Sequence, residues 1–412
     1  MHKFTRLKQY EGSSFMKKYY HVGHMISAVS DEEMERRWKA IQAALAADDL
    51  DCLLLYGMEA RQGAPVKYSL NWSCEDGQGY TIIIPKSGKG AVFGHGYYGT
   101  PTIPPECVKQ IGCNRAAPCA PVLGYTDEYI PREMVNFLSS IAPVKRVGIY
   151  RKNIMPYHFI QHIKENFPEI EFVEWDEPYD AVKAVKSAEE IEALRDSARM
   201  QDQLYEAMNV YVRPGRLERE INIDLRKAAL DMDCESLNIF ICSGKTVADV
   251  EYDSPLQMQN RRLTDGDMVK VALRCAMRGG YFTNVGRMWS VGEPSPEYVK
   301  AVEDSFLLQE KLASMLRAGT MPGELCKAAA EFRRERGYLE DSSLIGSAQG
   351  TEIVDRPALL PGETMPIGNN MVFALHAACK TDTVYANCYD NYLVTEDGVE
   401  LLTKTPRKLF VI

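Results

Sequence analysis

Residues 266–292 read GDMVKVALRCAMRGGYFTNVGRMWSVG, and the rest of the chain is organised around them. A Gly-Asp turn opens the stretch, and a run rich in Val, Leu and Ala follows. Arg278-Gly279-Gly280 interrupts it. A second run carries Tyr281, Phe282, Val285, Met288 and Trp289. Two β-prone runs joined through Gly-Gly predict an antiparallel hairpin. Neither run alternates apolar with polar residues, so both faces are expected to be covered by protein. Polar side chains in such a place must be paired or used, which singles out Thr283, Asn284 and Arg287.

Outward from the hairpin, the C-terminal half repeats itself. Lys186-Ser187-Ala188-Glu189-Glu190-Ile191 caps a long amphipathic helix that ends at Val212-Arg213-Pro214-Gly215, and a second helix covers 217–232. Another long helix, 295–316, ends at Arg317-Ala318-Gly319 and is followed by one over 323–336. Strands over 371–378 and 387–394 close the second unit as the hairpin closes the first. Helices, turns and strands recur in one order, which predicts an internal α-α-β-β duplication.

Upstream the pattern is different. Ser30, with Glu33 three residues on, predicts a capping box and a helix to about Ala47. Strands over 51–55, 80–85, 91–93, 146–150 and 171–173 alternate with helices over 129–141 and 155–167, which predicts an α/β domain. The organisation expected is an arm (1–26), an N-terminal α/β domain (27–180) and an α+β C-terminal domain (181–412). Gly94-His95-Gly96-Tyr97-Tyr98-Gly99 matches G-x-G-x-x-G. However, Pro101, Pro104 and Pro105 forbid the helix that a dinucleotide site requires.

The chain has 412 residues, 45% of them hydrophobic, and a net charge of -9. No basic run is present to meet phosphates, so nucleic acid is not an expected partner. No apolar run reaches the roughly 18 residues of a membrane span, and the first 26 residues lack an apolar signal core. Eleven cysteines without a C-x-x-C pair fit reduced thiols in a cytoplasmic protein. Cys107, Cys113 and Cys119 lack the partners of a zinc site.

These features resemble the pita-bread family, which includes methionine aminopeptidase, prolidase, aminopeptidase P and creatinase. The resemblance is carried by Ser30-Asp31-Glu32-Glu33-Met34-Glu35-Arg36-Arg37, by Lys186-Ser187-x-x-Glu190-Ile191 with Arg195, and by Gly266-Asp267-x-Val269 with Gly280-Tyr281. It is completed by Val394-Thr395-Glu396-Asp397-Gly398-Val399-Glu400-Leu401-Leu402-Thr403. The family's peptidases hold two metal ions through two Asp, one His and two Glu. The resemblance places those positions at Ala272, Asn284, Ser347, His376 and Tyr389. Such a set supplies one good ligand and no fixed negative charge, too little for two hard dications. No cofactor and no metal are therefore expected.

Creatinase is similar in working without metal. That likeness implies a homodimer, a small polar substrate and C–N bond cleavage. Two departures count against creatine itself: residues 245–255 contain no His, and Gly286 precedes Arg287. The function expected is thus metal-independent, creatinase-like hydrolysis of a non-peptide C–N bond in a small polar metabolite. A lyase or decarboxylase, and a non-catalytic pocket that binds a peptide or small ligand, are the alternatives. His376 is expected as general acid/base near neutral pH, with Tyr389 as the second catalytic residue, donating a proton or orienting His376. Asn284, Ser347, Arg287, Glu352 and Tyr281 are the expected substrate contacts, and Asp253, Glu251, Asp355, Asp390 and Trp72 are further candidates. In the bland alternative His376 is a satisfied core residue and Arg287 pairs with an internal acid such as Asp390. An open cavity around His376 favours chemistry; a filled one favours a structural cluster. Cys275 has no activating base beside it in the sequence.

Overall fold

A computed structural model describes residues 20–22, 25–27, 29–58, 64–71, 79–95, 108–114, 129–251, 260–277, 279–341 and 343–412. The chain runs β1 (Tyr20–Val22), β2 (Met25–Ser27), α1 (Asp31–Ala47), β3 (Cys52–Gly57), α2 (Ala64–Leu70), β4 (Tyr80–Pro85), β5 (Gly90–His95), β6 (Val108–Asn114) and α3 (Tyr129–Ser140). There follow β7 (Arg146–Ile149), α4 (Tyr157–Asn166), β8 (Glu171–Glu174), α5 (Asp176–Ala184), α6 (Ala188–Tyr211), α7 (Glu218–Leu230), β9 (Cys234–Gly244) and α8 (Val247–Glu251). The hairpin strands are β10 (Met268–Met277) and β11 (Phe282–Ser290). Then come α9 (Pro296–Met315), α10 (Pro322–Glu335), β12 (Gly346–Ala348), β13 (Asp355–Ala358), β14 (Val372–Lys380), β15 (Tyr385–Thr395), β16 (Gly398–Leu401) and β17 (Phe410–Val411).

The N-terminal strands form a six-stranded sheet in the order β6-β5-β4-β3-β7-β8. It is mixed: β3 pairs antiparallel with β4 and parallel with β7. Its two faces carry separate apolar clusters, one around Trp38, Ile41 and Leu45 of α1 and one around Met134, Phe137 and Phe159 of α3 and α4. Residues on both faces of β3 are buried, which is why its sequence, CLLLYG, does not alternate. The expected turn at Gly94–Gly99 lies, from residue 96 on, outside the described residues, as do most of the arm and the expected Pro-rich segment.

The helix starts are local in origin. Ser30 Oγ accepts from the Glu33 N–H at 3.1 Å. The reciprocal half of the box is supplied from afar, since Ser30 N donates to Glu189 at 2.7 Å, while the Glu33 carboxylate turns to Arg36 and Arg37. At α6 the box closes within itself, Ser187 N to Glu190 at 2.9 Å and Glu190 N to Ser187 at 3.3 Å.

The C-terminal sheet has the path β13-β12-β14-β15-β11-β10-β9, with β16 on β15 and β17 on β11. The hairpin is in register from Met268↔Ser290 to Ala276↔Phe282, and both of its faces are buried. Helices α6 and α7 cover one face of β9–β11, and α9 and α10 cover the same face of β14–β15. The duplication is visible in how each long helix grips its hairpin. Gln201 Nε2 donates to the carbonyls of Leu273 and Thr283 on neighbouring strands. Gln309 Nε2 does the same to Leu375 and Cys388, at 3.2 Å each. Each Gln stands at the same distance in sequence from its helix's cap, Ser187 or Ser295. Among the described residues no helix is long and apolar enough to cross a membrane.

Two buried ionic clusters join the layers. Arg37, fully buried, reaches Glu33, Glu190 and the Tyr281 hydroxyl. Lys183, Lys186 and Arg151 meet Glu352 and Asp355, with Lys183 3.2 Å from Asp355 and 3.5 Å from Glu352.

Candidate functional site

Side chains alternate between the two faces of a strand, so the face turned away from the helices can be read rung by rung. One rung runs Phe240↔Ala272↔Gly286↔Tyr389↔His376 across β9, β10, β11, β15 and β14. The next runs Asn238↔Arg274↔Asn284 and continues to Asn391, whose Oδ1 accepts the Asn284 N–H at 2.8 Å. Asn391 pairs with Ala374, and Ala374 with Ser347 of β12. Five expected positions, Ala272, Asn284, Ser347, His376 and Tyr389, therefore share this inner face, and all five are buried.

The middle of the face is filled by side chains. The His376 and Tyr389 rings lie 4.1 Å apart at 32°, and Tyr389 packs with Phe240 and Ala272. The absence of a side chain at Gly286 makes room for the Tyr389 ring: a Cβ there would lie 2.8 Å from Tyr389 Cγ. Gly286→Ala is expected to destabilise by about 1–3 kcal/mol through overpacking. That penalty should vanish in a Tyr389→Ala background, as a double-mutant cycle in urea would read.

His376 Nε2 is 3.4 Å from Asn284 Nδ2, and the ring also hydrogen-bonds the backbone at Leu344. Burial first, then the Arg274 guanidinium, push its pKa down from 6.5 to about 3. The imidazole is thus neutral at pH 7 and a poor base, which corrects the expectation of an acid/base poised near neutrality. Ser347 Oγ accepts from Gln349 Nε2 at 3.2 Å.

The remaining candidates among the described residues do not join this face. Arg287 is on the helix side, 5.3 Å from the Phe306 ring centroid. Its five N–H groups are all satisfied: Nε by Pro406 O, Nη1 by Gly286 O and Tyr389 O, and Nη2 by Asp390 at 2.7 Å and Thr405 O. The pairing with Asp390 is the structural alternative named for it, so neither residue is placed to meet a ligand on the inner face. Glu352 and Asp355 belong to the buried ionic cluster with Lys183 rather than to a pocket rim. Burial raises the Glu352 pKa. The Tyr281 hydroxyl is held between Arg37 and Glu190, and Glu251 pairs with Lys380. Asp253 and Trp72 lie outside the described residues. Cys275 is fully buried and its thiol is pushed far up by that burial. Arg274 and Phe240, which the sequence expectation missed, do stand on the inner face. A cleft of about 980 Å³ opens elsewhere, lined by Asp48, Arg146, Trp175, Glu177, Arg356 and Glu363. Its two arginines are already paired with Glu171 and Glu363.

Residues 192–396 match the model of metallopeptidase family M24. The C-terminal half is a pita-bread domain of that family. A Xaa-Pro dipeptidase of Pyrococcus horikoshii is 24% identical over 285 residues, 68% of this chain and 78% of that protein. A probable dipeptidase PepE of Mycobacterium tuberculosis is 24% identical over 234 residues, 56% of this chain and 61% of its own. The crystal structure of the prolidase from P. horikoshii superposes with a TM-score of 0.72 at 20% identity, covering 90% of this chain and 99% of that one. The N-terminal domain of the FACT complex subunit SPT16 from chickpea gives 0.68 at 13% identity over 92% of this chain and 99% of that one. These two superpositions establish the shared fold.

The relatives overturn one expectation. Metal-independent cleavage of a non-peptide C–N bond, creatinase-like or as a lyase, finds no counterpart in proteins named as dipeptidases and prolidase. Among the described residues no group of three His, Cys, Asp or Glu side chains could hold an ion. The inner face presents an imidazole, a phenol, amides and the Arg274 guanidinium, which do not fit two dications.

Proposed function

We propose that this chain is a peptide-directed member of the M24 hydrolases in which the family's metal-ligand positions have been replaced by Ala272, Asn284, Ser347, His376 and Tyr389. Short peptides are the ligand class named for its relatives, and the inner face of the pita-bread sheet is the surface that would receive them. The observation that carries the replacement is the packed His376–Tyr389 ring pair, its Tyr389 ring lying over Gly286. Aromatic packing there fills space that carboxylates and ions would need, and the nearby Arg274 guanidinium disfavours a cation. Asn284 then acts as a hydrogen-bonding group toward an amide. Peptide-bond hydrolysis is the reaction that the relatives' names carry, and it is the one to assay. A homodimer, a cytoplasmic setting and a division between domains near residue 180 belong to the same reading.

The test combines binding with metal analysis. Dipeptides are expected to raise the thermal midpoint by ligand linkage. Mn²⁺, Co²⁺ and Zn²⁺ are expected to leave it unchanged, and elemental analysis should find well under one transition-metal ion per chain. Stoichiometric, chelator-sensitive metal would sink the ligand-replacement proposal. Absence of any peptide-induced shift would sink the peptide assignment. Light scattering reads the dimer independently.

A further inference from the structure

We infer that Arg274 and Asn284 form a recognition pair for a carboxylate-bearing ligand whose neighbouring nitrogen carries a hydrogen, an inference that rests on the peptide reading above and specifies which peptides fit. Arg274 and Asn284 are direct cross-strand partners on the inner face, a placement that brings side chains to about 5 Å of one another. Arg274 is only half-buried, so its side chain is reachable from solvent, while Asn284 beside it is fully buried. The Arg274 guanidinium carbon lies 4.8 Å from the Phe240 ring centroid. Stacking of this kind fixes the plane of the group and leaves its N–H edge for an anion.

One donor of that edge is unanswered. Arg274 Nε is buried and has no acceptor, in contrast to Arg287, whose donors are all engaged. Among the described residues no carboxylate forms an ion pair with Arg274, whose guanidinium carbon lies over the Phe240 ring. Asn284 supplies the complementary need. Its amide nitrogen faces His376, while Oδ1, fully buried, has no donor. An orphaned donor and an orphaned acceptor on adjacent strands each sit unsatisfied in a low-dielectric setting, where such groups are unfavourable unless a ligand meets them.

The C-terminal residue of a peptide meets both at once. Its carboxylate accepts from the guanidinium, and its amide N–H, on the same Cα, donates to the Asn284 oxygen. Proline at that position offers the carboxylate but no N–H. The pair thus selects against a C-terminal Pro, unlike relatives whose names specify Xaa-Pro dipeptides.

Calorimetric titration of the full chain with Gly-Leu, Gly-Leu amide and Gly-Pro tests this. Wild type is expected to bind Gly-Leu at least about tenfold more tightly than its amide, the scale of a charge-assisted pair, and more tightly than Gly-Pro. Arg274→Met should abolish the acid-over-amide preference, and Arg274→Lys should keep part of it. Asn284→Ala should abolish the preference over Gly-Pro. Circular dichroism checks folding; if Arg274→Met fails to fold, Arg274→Lys carries the test. Equal binding of acid and amide by wild type, or a preference that survives Arg274→Met, overturns the pair and leaves the peptide reading standing. No binding of any of the three overturns the peptide reading and the pair with it.

Discussion

Arg287→Met is expected to destabilise the protein by about 3–5 kcal/mol, the range for breaking a buried charge pair by removing one partner. The side chain is fully buried and its five donors serve four backbone carbonyls and Asp390. Methionine fills much of the volume but donates nothing. The Asp390 carboxylate would be left with Arg407 at 3.6 Å as its remaining cation. Burial already raises its pKa, so it would take up a proton rather than stay charged. Urea unfolding reads the loss. A change under about 1 kcal/mol would mean that the network is dispensable. Since Arg287 faces the helices, ligand affinity of the folded fraction should stay within about twofold, given the near-additivity of separated sites.

The second large effect is an acid limb in the stability profile that belongs to His376. Its folded-state pKa, about 3, lies below the ordinary 6.5, so between those values the unfolded chain binds the extra proton. Stability from keeping the ring neutral is complete above about pH 6.5, and it is lost as pH falls toward 3. Carried through linkage, that depression corresponds to a few kcal/mol. His376→Gln keeps a hydrogen-bonding side chain and removes the titration. Its unfolding free energy should fall less steeply than wild type between pH 6 and 4. Parallel profiles for the two proteins would show that the imidazole is not neutral in the fold.

Much of the architecture is legible because its signals are local. Ser187 with Glu190, Ser30 with Glu33, and the Gly-Gly turn at 279–280 each announce an element within four residues. Strand β9 gives no such signal: CESLNIFICSG follows α7 closely and mixes Glu, Ser and Asn into an apolar run, so neither periodicity stands out. Helix α5 passes through Pro178 because proline is tolerated in the first turn.

The candidate site is only partly legible, for a different reason. The family resemblance leads to Asn284 and His376 but also to Arg287. Period-two counting separates them: 284 and 287 are three apart and must point to opposite faces, while 272 and 274 share one. Counting in twos from Ala272 reaches Arg274. What counting cannot supply is the reach of side chains across the layers. Glu352 and Tyr281 are claimed by cations from distant segments, Arg151 and Arg37, and nothing near them in sequence announces it.

The paired glutamines of α6 and α9 carry one more implication. Gln201 and Gln309 clasp main-chain oxygens, which every amino acid possesses, so the clasp is blind to what the strands display on their other side. Residues on that other side can be exchanged without loosening the brace. A scaffold built this way can keep its shape while what it grips is rewritten, and grafting new pockets onto this sheet should begin at its even-numbered hairpin positions.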